Sequence, residues 1–447
     1  MIRRLIGGLL AGLLTVQLPS CAFTASVETM LSPPRMTPEQ EDIYHALQAG
    51  IASSISLKYP KSGERLSAFT VEDLDGDGAD EAIVFYQSGR SAADENPLRL
   101  CLLAQENGAW LAMGEYPTAG AEVERVDIEQ LGDNPRKNLI IRYSMVDGAN
   151  RTAEVLNYED GALTRSLRLP YSRMNVRDLN GDGTNELLVL SGTTTSDAAS
   201  ATVYTLDEAG NYLQPALAPL PETVTDISGI GYGFMQAESG AGTIPVIYID
   251  GISGATTVQT VVLSYQENAL SVVYTDSPDR FPNTARSAGL PTADLNGDGE
   301  PEIPVQTVFY GYANAEDGSP LNLTNWYVCR GGLLMREFSS YYAVQEGYVF
   351  LMPKRWERKV TAVPEGEEIV FYEIDPSAQK EDGSPVLRAS LLRLRAVTDA
   401  VEADTLQGDG YLLLQQRSGC YYLALLESGS ASLTLTQSEL LFAMKYL

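Results

Sequence analysis

From residue 66 onward, apolar runs of about four to eight residues alternate with clusters of Gly, Asp, Asn and Pro. The runs are AIVFY (82–86), LRLCLLA (98–104), NLIIRY (138–143), ELLVL (186–190), ATVYTL (201–206), IPVIYI (244–249) and TVVLSY (260–265). Several carry β-branched or aromatic residues, and this spacing predicts an all-β meander. Farther on, 348–352, 369–373, 391–397, 411–415 and 420–425 read as strands as well. Two segments have a different period. Thr37-Pro38-Glu39-Gln40 is a capping box with proline at the first helical position, followed by Ile43, Leu47, Ile51 and Ile55 at four-residue spacing. This predicts one amphipathic helix, roughly 38–56, whose apolar stripe must dock on something. A second capping box at Thr436 and Glu439 predicts a closing helix over 437–447.

Within the strand-rich region one loop recurs. DLDGDGADE (73–81) returns as DLNGDGTNE (178–186) and DLNGDGEPE (294–302), at intervals of 105 and 116 residues. Each interval is about twice the length of one four-stranded propeller blade. A worn copy lies at 126–133, and a weaker one at 225–229. The expected fold is therefore mainly β: a β-propeller of about seven blades with one N-terminal amphipathic helix. The alternative is fewer blades plus a small C-terminal α+β domain. The expected divisions are a lead-in at 37–65, the repeats at 66–342, and final blades or a small domain at 343–447.

The N-terminus reads as an export signal. Arg3 and Arg4 precede an apolar stretch, Leu5 to Val16, which is too short to span a bilayer. Leu18-Pro19-Ser20-Cys21 then resembles the lipobox of bacterial lipoproteins, in which the cysteine is lipidated. The expectation is a lipoprotein signal peptide over 1–21, lipidation at Cys21, and a tether over 22–36. That places the protein on the extracytoplasmic face of a bacterial membrane.

Composition narrows the chemistry. The chain has 31 Lys+Arg against 59 Asp+Glu, a net charge of −28, which speaks against nucleic acid as a partner. The one histidine, His45, excludes a multi-histidine zinc site. Cys101, Cys329 and Cys420 are too few and too scattered for a disulfide framework, though one bridge among them stays open.

The repeated loop carries the most specific signal. A hard cation such as Ca²⁺ takes six to eight oxygens at about 2.3–2.6 Å. Side chains at positions 1, 3 and 5 of a tight loop converge, position 7 adds its carbonyl, and an acid at position 9 closes the set. Glycines at positions 4 and 6 allow the positive φ that this coil requires. The first loop would use Asp73, Asp75, Asp77, the Ala79 carbonyl and Glu81. The second would use Asp178, Asn180, Asp182, the Thr184 carbonyl and Glu186, and the third Asp294, Asn296, Asp298, the Glu300 carbonyl and Glu302. Two or three Ca²⁺ ions are expected, the first loop binding most tightly. The 126–133 copy, with Leu131 in place of the fifth-position acid, is expected to bind none.

The D-L-[DN]-G-D-G-x-x-E loop running into an apolar strand resembles the FG-GAP/VCBS repeats of integrin-α-like β-propellers. With the lipobox, the chain is similar to VCBS-repeat bacterial lipoproteins. The resemblance implies a calcium-braced scaffold and no particular activity.

Two further features stand out. Eleven aromatics crowd 309–356; Trp326, Tyr327 and Trp356 could form a ligand surface, or the cluster could be blade core. Residues 354–359 (KRWERK) are the most basic stretch, fitted either to an anionic partner or to a solvated strand edge. No G-x-S-x-G elbow, P-loop or H-E-x-x-H occurs. The expectation is a non-enzymatic module that binds an extracellular protein or glycan. The alternative is an extracellular carbohydrate-active enzyme on a propeller scaffold.

Overall fold

The computed structural model describes residues 36–51, 54–88, 97–145, 151–237, 242–279 and 281–446. The expected signal peptide, Cys21 and nearly all of the tether lie outside the described residues. The protein is mainly β, built from six antiparallel sheets of four or five strands.

Helix α1, Pro38–Gly50, forms where the capping box predicts it: Thr37 Oγ1 accepts from the Gln40 amide at 3.2 Å, and Gln40 Oε1 accepts from the Thr37 amide at 3.1 Å. It is shorter than 38–56. Ile51 is already extended, and Ile55 belongs to a strand, Ile55–Leu57. Gly50 ends the helix against the first sheet, where a Cβ would stand 2.8 Å from Ala112 Cβ. His45 is exposed on this helix.

The sheets follow the chain in order. The first holds Ile55–Leu57, Phe69–Glu72, Glu81–Ser88, Leu98–Glu106 and Ala109–Pro117. The second runs Glu122–Gln130, Lys137–Ser144, Arg151–Glu159 and Ala162–Pro170, and the third Arg173–Arg177, Glu186–Ser191, Ser200–Tyr204 and Ala216–Pro219. The fourth is built on Asp226–Gln236, Thr243–Ile252, Thr257–Gln266 and Ala269–Tyr274, with Arg286–Ser287 added. Ile303–Val308, Asn322–Arg330, Leu333–Ala343 and Tyr348–Leu351 make the fifth. The sixth takes Val360–Glu365, Glu368–Gln379, Pro385–Val397, Cys420–Leu426 and Leu412–Arg417. Tight hairpins such as Asn107-Gly108 and Asp160-Gly161 take positive φ at both central residues, the geometry that matches strand twist.

Apolar clusters join each sheet to the next. Phe85 and Ile141 belong to one cluster between the first and second, Ile140 and Leu187 to one between the second and third, and Leu188 and Ile249 to one between the third and fourth. Tyr248 meets Cys329 between the fourth and fifth, and Phe350 meets Phe371 between the fifth and sixth. The two outer faces are covered by helices. Ile43 and Leu47 of α1 pack on the first sheet. Ala403 of α2, Ala400–Gly408, packs on Val397 and Leu423 of the sixth. Among the described residues there are thus six sheet units rather than about seven, and no apolar cluster joins the first to the last.

The predicted closing helix is α3, Gln437–Ala443, and it stops short of 447. Met444–Tyr446 instead returns as a strand beside Tyr348–Leu351 of the fifth sheet. Cys101 and Cys329 are buried, Cys420 is half-buried, and all three are free thiols. No described helix is long and apolar enough to cross a membrane.

Candidate metal loops and the cleft between them

Each repeated loop joins an incoming β segment to an apolar strand of its sheet. Loop 73–81 closes on the Glu72–Glu81 pair, loop 178–186 on Arg177–Glu186, and loop 294–302 on an Ala293–Glu302 bridge. The three share one hydrogen-bond scheme. The position-1 Asp accepts from both glycine amides, at 2.7 and 3.1 Å in the first loop, 2.7 and 3.0 Å in the second, and 2.7 and 2.9 Å in the third. Gly76 and Gly78 have φ of 81° and 91°, which explains the glycines.

The position-9 acid is drawn inside. Glu81, Glu186 and Glu302 are buried, and each accepts from the position-2 backbone amide at 2.9–3.0 Å. Burial, then the neighbouring aspartates, pushes Glu186 and Glu302 up to about 7, and Glu81 is raised for the same reasons. Glu302 is 0% exposed, and its Oε1 has no hydrogen-bond partner. A buried carboxylate oxygen without a partner is costly, and a cation beside it would relieve that cost.

Two acidic clusters can hold a metal ion: Asp73, Asp75 and Glu81, and Asp294, Asp298 and Glu302. Within each, one oxygen per residue lies within 4.8 Å of the others, about twice a Ca²⁺–oxygen bond. The donors are all oxygens, which suits a hard cation. The second loop carries the same pattern as the third, Asp178, Asn180, Asp182 and Glu186 against Asp294, Asn296, Asp298 and Glu302, but its three acids do not converge within that distance. The worn copy is spent differently: Asp127 is gripped by Arg125 and Arg142, each at 2.8 Å, and Leu131 is buried.

A cleft of about 500 Å³ lies between the second and third loops. Arg177, Gly181 and Asn185 line one side, Tyr232 and Phe234 of the fourth sheet another, and Gly299 of the third loop the far edge. The Arg177 guanidinium sits 4.7 Å over the Tyr232 ring, whose hydroxyl accepts from Asn175 Nδ2 at 2.9 Å. No carboxylate pairs with Arg177 among the described residues. Phe234 is 48% exposed. Its amide donates to the Gly299 carbonyl at 2.8 Å, tying the strand to the loop. Gly233 permits that approach: a Cβ there would fall 2.1 Å from Pro301 Cδ. Sequence reasoning missed this cleft because Arg177 and Tyr232 lie on different sheets. The one local signal was an arginine directly before the second metal loop.

The expected aromatic surface is corrected. Trp326 and Trp356 are core residues with 1% and 0% exposure. Their indole N–H groups are used internally, each at 2.7 Å: Trp326 donates to Ser340 Oγ and Trp356 to the Leu433 carbonyl. Tyr327 is half-buried. Aromatic density at 309–356 reflects packing between the fifth and sixth sheets.

No family model matches the chain, and no curated protein matches it. Among solved structures, it is similar to a Bacillus licheniformis rhamnogalacturonan lyase of type PL11, at 10% identity and TM-score 0.30 over 74% of this chain and 90% of that one. It is similar to the rhamnogalacturonan lyase YesW at 9% and 0.29, over 82% and 90%, and to the exotype rhamnogalacturonan lyase YesX at 12% and 0.30, over 73% and 72%. Likenesses at these scores assign neither fold nor chemistry. The expectation of a non-enzymatic chain is corrected only to this extent: these three structures are named as lyases, and the expectation is not kept.

Proposed function

We propose that this protein is a calcium-braced, carbohydrate-directed protein of the extracytoplasmic surface, held there by lipid on Cys21, and that the cleft between the second and third loops takes an acidic glycan. The cleft carries the reading. Its exposed Phe234 ring offers a face for a sugar to stack on, and the Asn185 amide can pair with hydroxyls. In a chain of net charge −28, Arg177 is a guanidinium free to form a two-pronged pair with a carboxylate. The FG-GAP/VCBS-like loops would hold Ca²⁺ on either side and fix the cleft walls. Two ions are supported by the first and third clusters, and a third would occupy the second loop. We read the six face-packed sheets as propeller-type blades, with residues 343–446 supplying the fourth strand of the fifth blade, the whole of the sixth and the return strand. The core continuous from Phe309 to Met444 supports that over a separate C-terminal domain.

The test is a glycan array together with a hydrolysis and lyase screen on uronate-containing and neutral polysaccharides, with Ca²⁺ or chelator present. Retention or turnover of an acidic glycan, weakened at least tenfold by Arg177→Ala and by chelation, is the expected result. A neutral glycan preferred over every acidic one, or Arg177→Ala without effect, overturns it.

A further inference from the structure

A second cavity, of about 570 Å³, lies between α3 and the fifth sheet. Its walls are mainly apolar: Phe338, Leu351 and Met352 on the sheet side, Phe442 and Ala443 on the helix. Phe442 is 75% exposed, which is unusual for a ring beside so apolar a surface. Three cations face the same space, Lys354, Arg355 and Lys445. Arg355 is already spent, on Glu439 at 2.7 Å and the Thr434 carbonyl at 2.9 Å. Lys354 and Lys445 have no carboxylate partner among the described residues; Lys445 Nζ sits 5.0 Å over the Phe442 ring.

This arrangement is out of keeping with the rest of the molecule. A chain with 59 acids has abundant carboxylates with which to neutralise two lysines, yet here two ammonium groups border an apolar hollow of ligand size. The basic stretch 354–359 is thus split by the fold. Trp356 is buried and Arg355 locks the turn to α3, while Lys354 faces the cavity. No residue lines both this cavity and the Arg177 cleft, although the third loop borders each, through Asn296 here and Gly299 there.

We propose that this cavity binds a small amphipathic anion, an alkyl carboxylate such as a medium-chain fatty acid. The chain would lie along Phe338, Leu351 and Phe442, and the carboxylate would sit between Lys354 and Lys445. Burial of the alkyl chain supplies affinity, and the two ammonium groups supply preference for the anion.

Titration calorimetry of the Ca²⁺-saturated full chain with decanoate, and with neutral decanamide, tests this. Decanoate is expected to bind one to one and at least tenfold more tightly than decanamide. The Lys354→Gln/Lys445→Gln double variant should remove that preference while keeping some affinity for both. Ser438→Trp, on the exposed start of α3, should block both ligands. Circular dichroism of each variant checks the fold, and Phe442→Ser gives a second way to weaken the apolar contact. Equal affinity for the two ligands, no binding at millimolar decanoate, or an unchanged preference in the double-lysine variant overturns the proposal. Loss of glycan recognition at the other cleft has no bearing on these readouts.

Discussion

At the scale of single residues, position decides what composition leaves open. The three loops were legible because their chemistry is local: nine consecutive residues carry the donors, the glycines and the hydrogen-bond scheme. The aromatic cluster was not, because buried and exposed rings have the same local sequence. Trp356→Ala should therefore cost about 3–5 kcal/mol in denaturant unfolding, through the cavity it leaves, while glycan retention persists under native conditions. Gly233→Ala should cost about 1–3 kcal/mol, since its Cβ would meet Pro301 and the Gly299 carbonyl, and it should also widen the cleft and weaken retention. Glu439 gives the clearest pH dependence. The Arg355 guanidinium, then the Thr436 amide, holds its carboxyl down to about 2. Its folded value lies below the unfolded one. The stabilisation it provides is therefore fully present above about 4.5 and is lost as pH falls toward about 2. Glu439→Gln should flatten that part of the stability profile by lowering stability modestly at neutral pH and converging with the parent protein in acid, as measured by urea unfolding across pH.

Elements show where periodicity suffices and where it fails. Apolar runs marked the buried strands, such as Glu81–Ser88 and Lys137–Ser144, because one strand is a local object with a period of two, but passed over half-exposed ones such as Ala109–Pro117 and Ala162–Pro170. The helix α1 ends earlier than its stripe suggested, at Gly50, which lies too close to Ala112 of the first sheet to carry a side chain, a proximity no local pattern encodes. The strongest missed feature joins distant segments. Arg286 is buried and donates to Asp250 Oδ1 at 2.7 Å, to the Leu290 carbonyl at 2.6 Å and to Thr260 Oγ1 at 2.8 Å. Asp250 also accepts from the Thr292 amide at 2.8 Å, two residues before the third metal loop begins. Apart from Thr260, the partners of Asp250 lie 36 and 42 residues away, at Arg286 and Thr292, a separation no local pattern reveals. Removing one partner should be worse than removing both: Asp250→Ala should cost about 3–5 kcal/mol by leaving a buried guanidinium unpaired. Asp250→Leu with Arg286→Met should recover much of that, and a double-mutant cycle in urea measures the difference.

For the whole molecule, the decisive fact is that sheets stacked face to face must end somewhere. Each internal face is covered by the next sheet, and the two terminal faces are covered by α1 and α2. The amphipathic stripe of α1 announced that it must dock, but only the fold reveals that it docks on an end of the stack. Uncovering that end should have two consequences. Ile43→Asp with Leu47→Asp places charges where α1 meets Leu103 and Trp110, so the helix should detach without unfolding the sheets beyond. The bared apolar face then seeks another copy, and light scattering should report concentration-dependent association. The same change reaches Cys101, whose thiol burial pushes up to about 12. Against a free thiol near 8.5, that shift lowers the thiolate fraction at neutral pH on the order of a thousandfold. Alkylation at Cys101, followed by mass spectrometry, should therefore be very slow in the native protein and fast in the double variant. Cys329, buried between the fourth and fifth sheets, should stay protected in both. If Cys101 and Cys329 were exposed together, the stack would be unfolding as one body and α1 would not be a separable cover.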